Sequence, residues 1–150
     1  MENFHSLGLS EVILNRLEAI DYTTPTPVQF KTIPVAIKGS DVLVTAQTGT
    51  GKTAAFCIPL LERLKETKPS TVHALVLVPT RELAVQVEKE LMELGMDQNI
   101  YSVPVYGGAS INVQHSKLQR GVHIVIATPG RLMDLMDRKW INLSQLKTVI

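Results

Sequence analysis

An α/β fold, with a parallel sheet covered by helices on both faces, is what this sequence predicts, and three observations predict it. Short β-branched runs alternate with longer segments of helical period along most of the chain. No internal repeat, charge block or Gly/Ser linker divides that alternation into modules. The length, 150 residues, is that of one ordinary domain, enough to bury about 68–70% of the surface its unfolded chain would expose. Alternation of this kind implies right-handed crossovers between parallel strands.

The elements follow in order. Leu9, Ile13, Leu17 and Ile20 recur at helical spacing behind Ser10, a fitting N-cap, so the first helix ends near Asp21. The prolines of Tyr22-Thr23-Thr24-Pro25-Thr26-Pro27 bias that stretch toward extended or turn conformations, and Pro27 suits the first position of a helix running to about Lys38. Gly39-Ser40 stops it. Strands are then predicted at Val42–Thr45, Ala74–Val78, Tyr101–Val105, His123–Ala127 and Thr148–Ile150, with helices near 52–66, 81–94, 111–119 and 130–138. In open parallel sheets the ligand crevice lies beyond the carboxyl ends of the strands, and the unusual residues of this chain fall there.

Composition narrows the function. With 45% apolar and 19% charged residues the chain lies in the soluble globular range rather than the disordered one. Cys57 is the only cysteine, which excludes an intrachain disulfide and a cysteine-cluster zinc site and points to a reducing, cytoplasmic home. Beside Phe56 and Ile58 it reads as an inert buried thiol. No apolar run approaches the roughly 20 residues needed to cross a bilayer, and the opening residues lack a signal pattern, so no membrane partner is expected. The four histidines, 5, 73, 115 and 123, show no metal-ligand spacing. A formal charge of +1 specifies no polyanion through bulk electrostatics, so any polyanion must be held by a local site.

One local site is legible. Ala46-Gln47-Thr48-Gly49-Thr50-Gly51-Lys52-Thr53 follows the predicted strand Asp41–Thr45 and precedes a helix, the context of a Walker A phosphate loop, with Ala46 where Gly is commonest. Gly49 and Gly51 let the backbone wrap a phosphate, and the helix start favours negative charge. Lys52 is placed to reach β- and γ-phosphates, and the Thr53 hydroxyl to ligate magnesium. Upstream, Gln29 admits two readings. Its carboxamide matches the N6 and N7 edge of adenine, with Tyr22 as a stacking face. Equally, Thr26-x-x-Gln29 is a capping box, and the local residues by themselves favour the box.

Five segments in series resemble the successive motifs of the DEAD-box RNA helicases: Asp21–Gln29 with its Pro25-Thr26-Pro27-Val28-Gln29 core, the loop 46–53, Pro79-Thr80-Arg81-Glu82-Leu83-Ala84, Gly107-Gly108, and Thr128-Pro129-Gly130-Arg131. Asp21 stands where that family usually has Gly. The resemblance runs from Phe4 to the last residue. It implies the amino-terminal RecA-like, P-loop NTPase domain of an ATP-dependent RNA helicase, with ATP and Mg2+ as cofactors. It further implies that Gln29 recognises adenine, that Tyr22 stacks on it, that Phe4 supports the site, and that Thr24, Pro25 and Thr26 belong to the ATP-binding segment.

The same resemblance implies RNA contact by Pro79, Thr80, Arg81, Gly107, Gly108, Thr128, Pro129, Gly130 and Arg131. Thr80, Arg81 and first-turn N–H groups can hold a backbone phosphate, and Thr128–Arg131 repeats the arrangement after the next strand. Contacts of this type read backbone rather than bases. If Arg81 and Arg131 supply the main charged contacts, the log–log salt slope is about −1.4, from roughly −0.7 per phosphate.

The family's acidic Asp-Glu pair, its Ser-Ala-Thr motif and its second RecA-like domain do not fall within these 150 residues. An incomplete first domain without turnover is therefore expected, with an unpaired sheet edge that invites self-association. Two rivals use other chemistry. A GTPase or small-molecule kinase could use the same loop, although no Asn-Lys-x-Asp for guanine is present. A non-enzymatic interaction module is the other.

Overall fold

The computed structural model describes residues 3–68 and 71–150, so the Met1-Glu2 start lies outside the described residues. The chain divides into two compact units, one of residues 1–65 and 93–99, the other of residues 66–92 and 100–150.

The first unit is helical. A 3-10 turn, Phe4–Leu7, precedes α1 (Glu11–Ala19), α2 (Pro27–Ile37) and α3 (Lys52–Leu64). The 3-10 turn is not predicted by the sequence, whereas the three helices stand where the sequence places them. Leu9, Ile13, Leu14 and Leu17 are buried from the first segment, Ile33 from α2, and Ala54, Cys57, Ile58 and Leu61 from α3. Cys57 is buried, as expected.

Helix α1 is capped from a distance. Ser10 makes no side-chain cap, and instead its N–H and hydroxyl both donate to Glu62 Oε2, at 3.1 and 2.8 Å. Burial pushes the Glu62 carboxyl up, but the bonds from Lys65 and Ser10 outweigh it and hold the group below its ordinary value.

One predicted element is corrected here. The stretch 41–47 forms no strand, and among the described residues it makes no backbone–backbone hydrogen bond. Val42 and Val44 are exposed and Leu43 is 96% exposed. β-branched composition marks a segment suited to a sheet, but a strand exists only when a neighbour completes the ladder.

The second unit carries the sheet. Strands β1 (Ala74–Leu77), β2 (Ser102–Val105), β3 (Ile124–Ala127) and β4 (Thr148–Val149) lie in the order β2-β3-β1-β4, all parallel. Helices α4 (Arg81–Leu94), α5 (Ile111–Gln119) and α6 (Pro129–Asp137) follow β1, β2 and β3. Its core joins Val72, Leu75, Val103, Val105, Val125, Ala127, Leu132 and Leu135. β3 is buried at all four positions, as an interior parallel strand must be. Helical spacing predicts Leu83, Val87, Leu91 and Leu94 as one apolar stripe of α4; the buried stripe is Ala84, Val87, Leu91 and Leu94, and Leu83 is exposed. Spacing alone could not separate the adjacent pair 83 and 84.

Candidate functional site

The phosphate loop belongs wholly to the first unit. Gly51 is the N-cap of α3 at φ 83°, and Gly49 lies at φ 81°, both in the left-handed region where a side chain is strained. Among the described residues, no backbone N–H from Gln47 to Thr53 donates a hydrogen bond. These are the orphan donors of a helix start, collected by a tight loop.

Lys52 folds back over the loop. Its Nζ donates to the Ala46 carbonyl and, at 2.7 Å, to the Gln47 carbonyl, while the Thr50 hydroxyl donates to the same Gln47 oxygen at 2.7 Å. Thr53 sits half-buried in the first turn of α3.

Gln29 satisfies the capping-box reading in full. Thr26 N donates to Gln29 Oε1 at 2.9 Å, and Gln29 N donates to Thr26 Oγ1 at 3.4 Å. The same carboxamide reaches further, because its Nε2 donates to Tyr22 Oη at 2.9 Å and to the Gly51 carbonyl at 3.1 Å. Gln29 is 0% exposed. A Cβ on Gly51 would stand 2.4 Å from Gln29 Nε2, so the glycine is required by this contact as well as by its φ. The Phe4 ring lies 5.7 Å from that of Tyr22, centroid to centroid, which joins the isolated upstream aromatic to the segment. Asp21 has φ 57°, the conformation glycine adopts most easily.

A cavity of about 700 Å³ borders α2 and the stretch 41–46. It meets the loop at Ala46 and Thr50 and is lined by neither Lys52 nor Thr53, so the loop's chemistry lies outside it.

In the second unit, ladder register sets the other site. Leu77 and Val105 each pair with Ala127, so β1, β2 and β3 end level. The segments that follow, Pro79–Arg81, Tyr106–Ala109 and Thr128–Arg131, therefore emerge at one edge of the sheet. Thr80 Oγ1 accepts from Leu83 N at 3.3 Å as an ordinary cap, whereas Thr128 makes no side-chain cap bond. Arg81 lies over the Tyr106 ring at 5.1 Å. Arg131 Nη1 donates to the Ala109 carbonyl at 3.0 Å and to Gln114 Oε1 at 2.8 Å. Gln114 Nε2 donates to the Tyr106 carbonyl at 3.0 Å. Tyr106 and Gln114 were missed from the sequence, since neither falls in a recognisable motif.

Among the described residues, no group of three His, Cys, Asp or Glu side chains could hold a metal ion. Thr53 supplies one oxygen, which fits magnesium only as an ion that arrives with a nucleotide's phosphates and keeps most of its waters. No described helix is long and apolar enough to cross a membrane. His123 is a core residue, with Nδ1 accepting from Tyr101 N at 3.0 Å and Nε2 bonded to the Thr67 carbonyl at 2.7 Å.

The DEAD/DEAH box helicase profile matches residues 26–150. The DEAD-box ATP-dependent RNA helicase CshA of Bacillus cereus is 43% identical over all 150 residues, and that of Streptococcus pneumoniae is 47% identical over 147 residues, 98% of the chain. The chain spans about 28% of the length of each. The crystal structure of a DEAD box protein from the hyperthermophile Methanococcus jannaschii superposes with a TM-score of 0.92 at 38% identity, covering 99% of this chain and 40% of that one.

Proposed function

The chain belongs to the DEAD/DEAH box helicase family, with the RecA-like parallel sheet expected of it, and on that premise we propose that it is the ATP-binding, RNA-contacting part of an ATP-dependent RNA helicase. The observation that carries this reading is the set of unpaired N–H groups from Gln47 to Thr53, gathered around two left-handed glycines. Such a cradle suits a polyphosphate and little else. Lys52 then exchanges the Ala46 and Gln47 carbonyls for β- and γ-phosphate oxygens. Thr53 ligates the accompanying Mg2+, which neutralises phosphate charge when bound.

Adenine selection falls to Gln29. Its Oε1 keeps a second lone pair beyond the Thr26 bond and can accept from adenine N6, while Nε2 turns from Tyr22 Oη to N7. The Tyr22 ring, steadied by Phe4, stacks on the base, and Thr24, Pro25 and Thr26 hold the segment against the loop. RNA is held by Pro79, Thr80 and Arg81, by Gly107 and Gly108, and by Thr128 to Arg131. These contacts address sugar and phosphate, so binding is independent of sequence. Hydrolysis needs charges that these residues do not supply, the acidic Asp-Glu pair of the first domain and those of a second RecA-like domain among them.

Calorimetric titration of the 150-residue chain with magnesium ATP tests the loop. Lys52→Ala should weaken binding about 100-fold, the scale of two charge-assisted hydrogen bonds. Wild-type protein should show no magnesium-dependent ATP hydrolysis and should prefer ATP to GTP. Equal ATP affinity for wild type and Lys52→Ala would defeat the reading.

A further inference from the structure

Gln114 lies outside every motif, yet it is one of the few buried polar residues among those described, 5% exposed and the buried position of the nine-residue helix α5. Both ends of its carboxamide are committed, Nε2 to the Tyr106 carbonyl and Oε1 to Arg131 Nη1. Arg131 Nη1 gives its other hydrogen to the Ala109 carbonyl. The carbonyls of Tyr106 and Ala109 flank Gly107 and Gly108, which have no side chains to anchor them, and a Cβ on either would meet nothing within 4 Å. The Gln114–Arg131 pair is thus a staple across the glycine pair.

The staple also orients a cation. A guanidinium is planar, and two acceptors on Nη1 fix its plane. Nη1 lies on the Cδ side of the group, so the opposite edge, Nε–H with Nη2–H, remains whole. That edge makes no hydrogen bond to a described residue, and its two parallel donors match two oxygens of a phosphate. The Tyr106 residue held by Gln114 also carries Arg81 over its ring, so one carboxamide serves both cations.

We propose that Gln114 is a positioning residue that fastens the Arg131 guanidinium to the Gly107–Gly108 loop through Nη1 and so presents its Nε/Nη2 edge to a backbone phosphate of RNA. The proposal rests on the RNA reading above.

Fluorescence anisotropy of a labelled oligouridine, titrated with the 150-residue chain over a salt series, tests it. Gln114→Met keeps the volume and removes the hydrogen bonds. Its affinity should fall about tenfold, the scale of one or two lost hydrogen bonds, and its log–log salt slope should become shallower by about 0.7, one phosphate contact. Arg131→Ala should show the same slope, and the double variant no further loss. A merely structural residue would lower stability without moving the slope. Arg131→Lys keeps the charge without the fork, and it should lose as much as Gln114→Met with an unchanged circular dichroism spectrum.

Nitrogen-15 NMR without RNA supplies an independent arm. Resolved Arg131 Nη signals in wild type should merge in Gln114→Met. Wild-type slope in Gln114→Met, full affinity in Arg131→Lys, additive losses or unmoved Arg131 signals would each overturn the proposal. The two failures look different: no RNA binding by any form overturns the RNA reading and this proposal with it, whereas RNA binding with an unmoved slope overturns this proposal alone.

Discussion

The phosphate loop and the strand-end surface are assembled in opposite ways. Around the loop, polar side chains bond to backbone a few residues away: Lys52 to Ala46 and Gln47, Thr50 to Gln47, Gln29 to Thr26. Among the described residues, only the Gln29–Gly51 hydrogen bond ties the loop to a distant segment. The strand-end surface takes its geometry from the ladder, since Leu77, Val105 and Ala127 are level and the three following segments start together. A loop held by local bonds can exchange them for a ligand at little cost elsewhere. A surface set by register is fixed before any ligand arrives, because a slip of one residue would turn every side chain to the other face.

The comparison breaks most readily at its glycines. Gly51→Ala places a Cβ 2.4 Å from Gln29 Nε2 at a positive φ, so backbone strain and a displaced buried carboxamide add. A loss of about 3 kcal/mol is expected in urea unfolding. Gly107→Ala on the strand-end surface meets nothing and should cost less than about 0.5 kcal/mol. Similar costs for the two would show that the loop is not braced by Gln29.

Titration separates the regions more gently. Burial holds the His123 imidazole below its ordinary pKa, against the Thr67 bond that raises it, with nearby His73 adding to the lowering. The unfolded chain therefore binds that proton more readily. The stabilisation is present above the ordinary histidine value, about 6.5, and is lost as pH falls through the lower folded value, by at most about 1.4 kcal/mol per pH unit. Glu62 in the loop's unit, also depressed, acts in a lower window: its contribution holds above about 4.5 and fades below it. Amide exchange measured from about pH 7 down to about pH 5 should loosen the 66–92 and 100–150 unit first, and His123→Gln should flatten that response. Uniform loosening of both units would count against it.

The smallest effect is expected at Asp21. With φ 57°, Asp21→Gly relieves left-handed strain and should stabilise by about 0.5–1 kcal/mol, read as a raised melting temperature. A lowered one would mean that the Asp21 side chain contributes more than its backbone costs.

Much of this was legible in advance because the signals are local. The apolar spacing of Ile13 and Leu17, the Pro27 helix start and the order of β-branched runs each depend on residues within a turn or two. The loop 46–53 was readable for the same reason, as was the capping box of Thr26 and Gln29. The stretch 41–47 misled, because strand formation depends on a neighbour that composition cannot supply. Leu83 was misplaced for a related reason: burial depends on what faces a helix, and adjacent positions can exchange roles with a small rotation.

The sequence by itself determined the α/β pattern, the glycines that must turn left-handed, and the series of segments that resembles the family's motifs. Covalent geometry and short-range sterics suffice for those. Only the tertiary structure decided that Gln29 braces Gly51, that three strands end level, and that Gln114 staples Arg131 across the glycine pair. Those contacts join residues 17 to 50 positions apart, and no local periodicity records which distant backbone carbonyl a buried carboxamide will find.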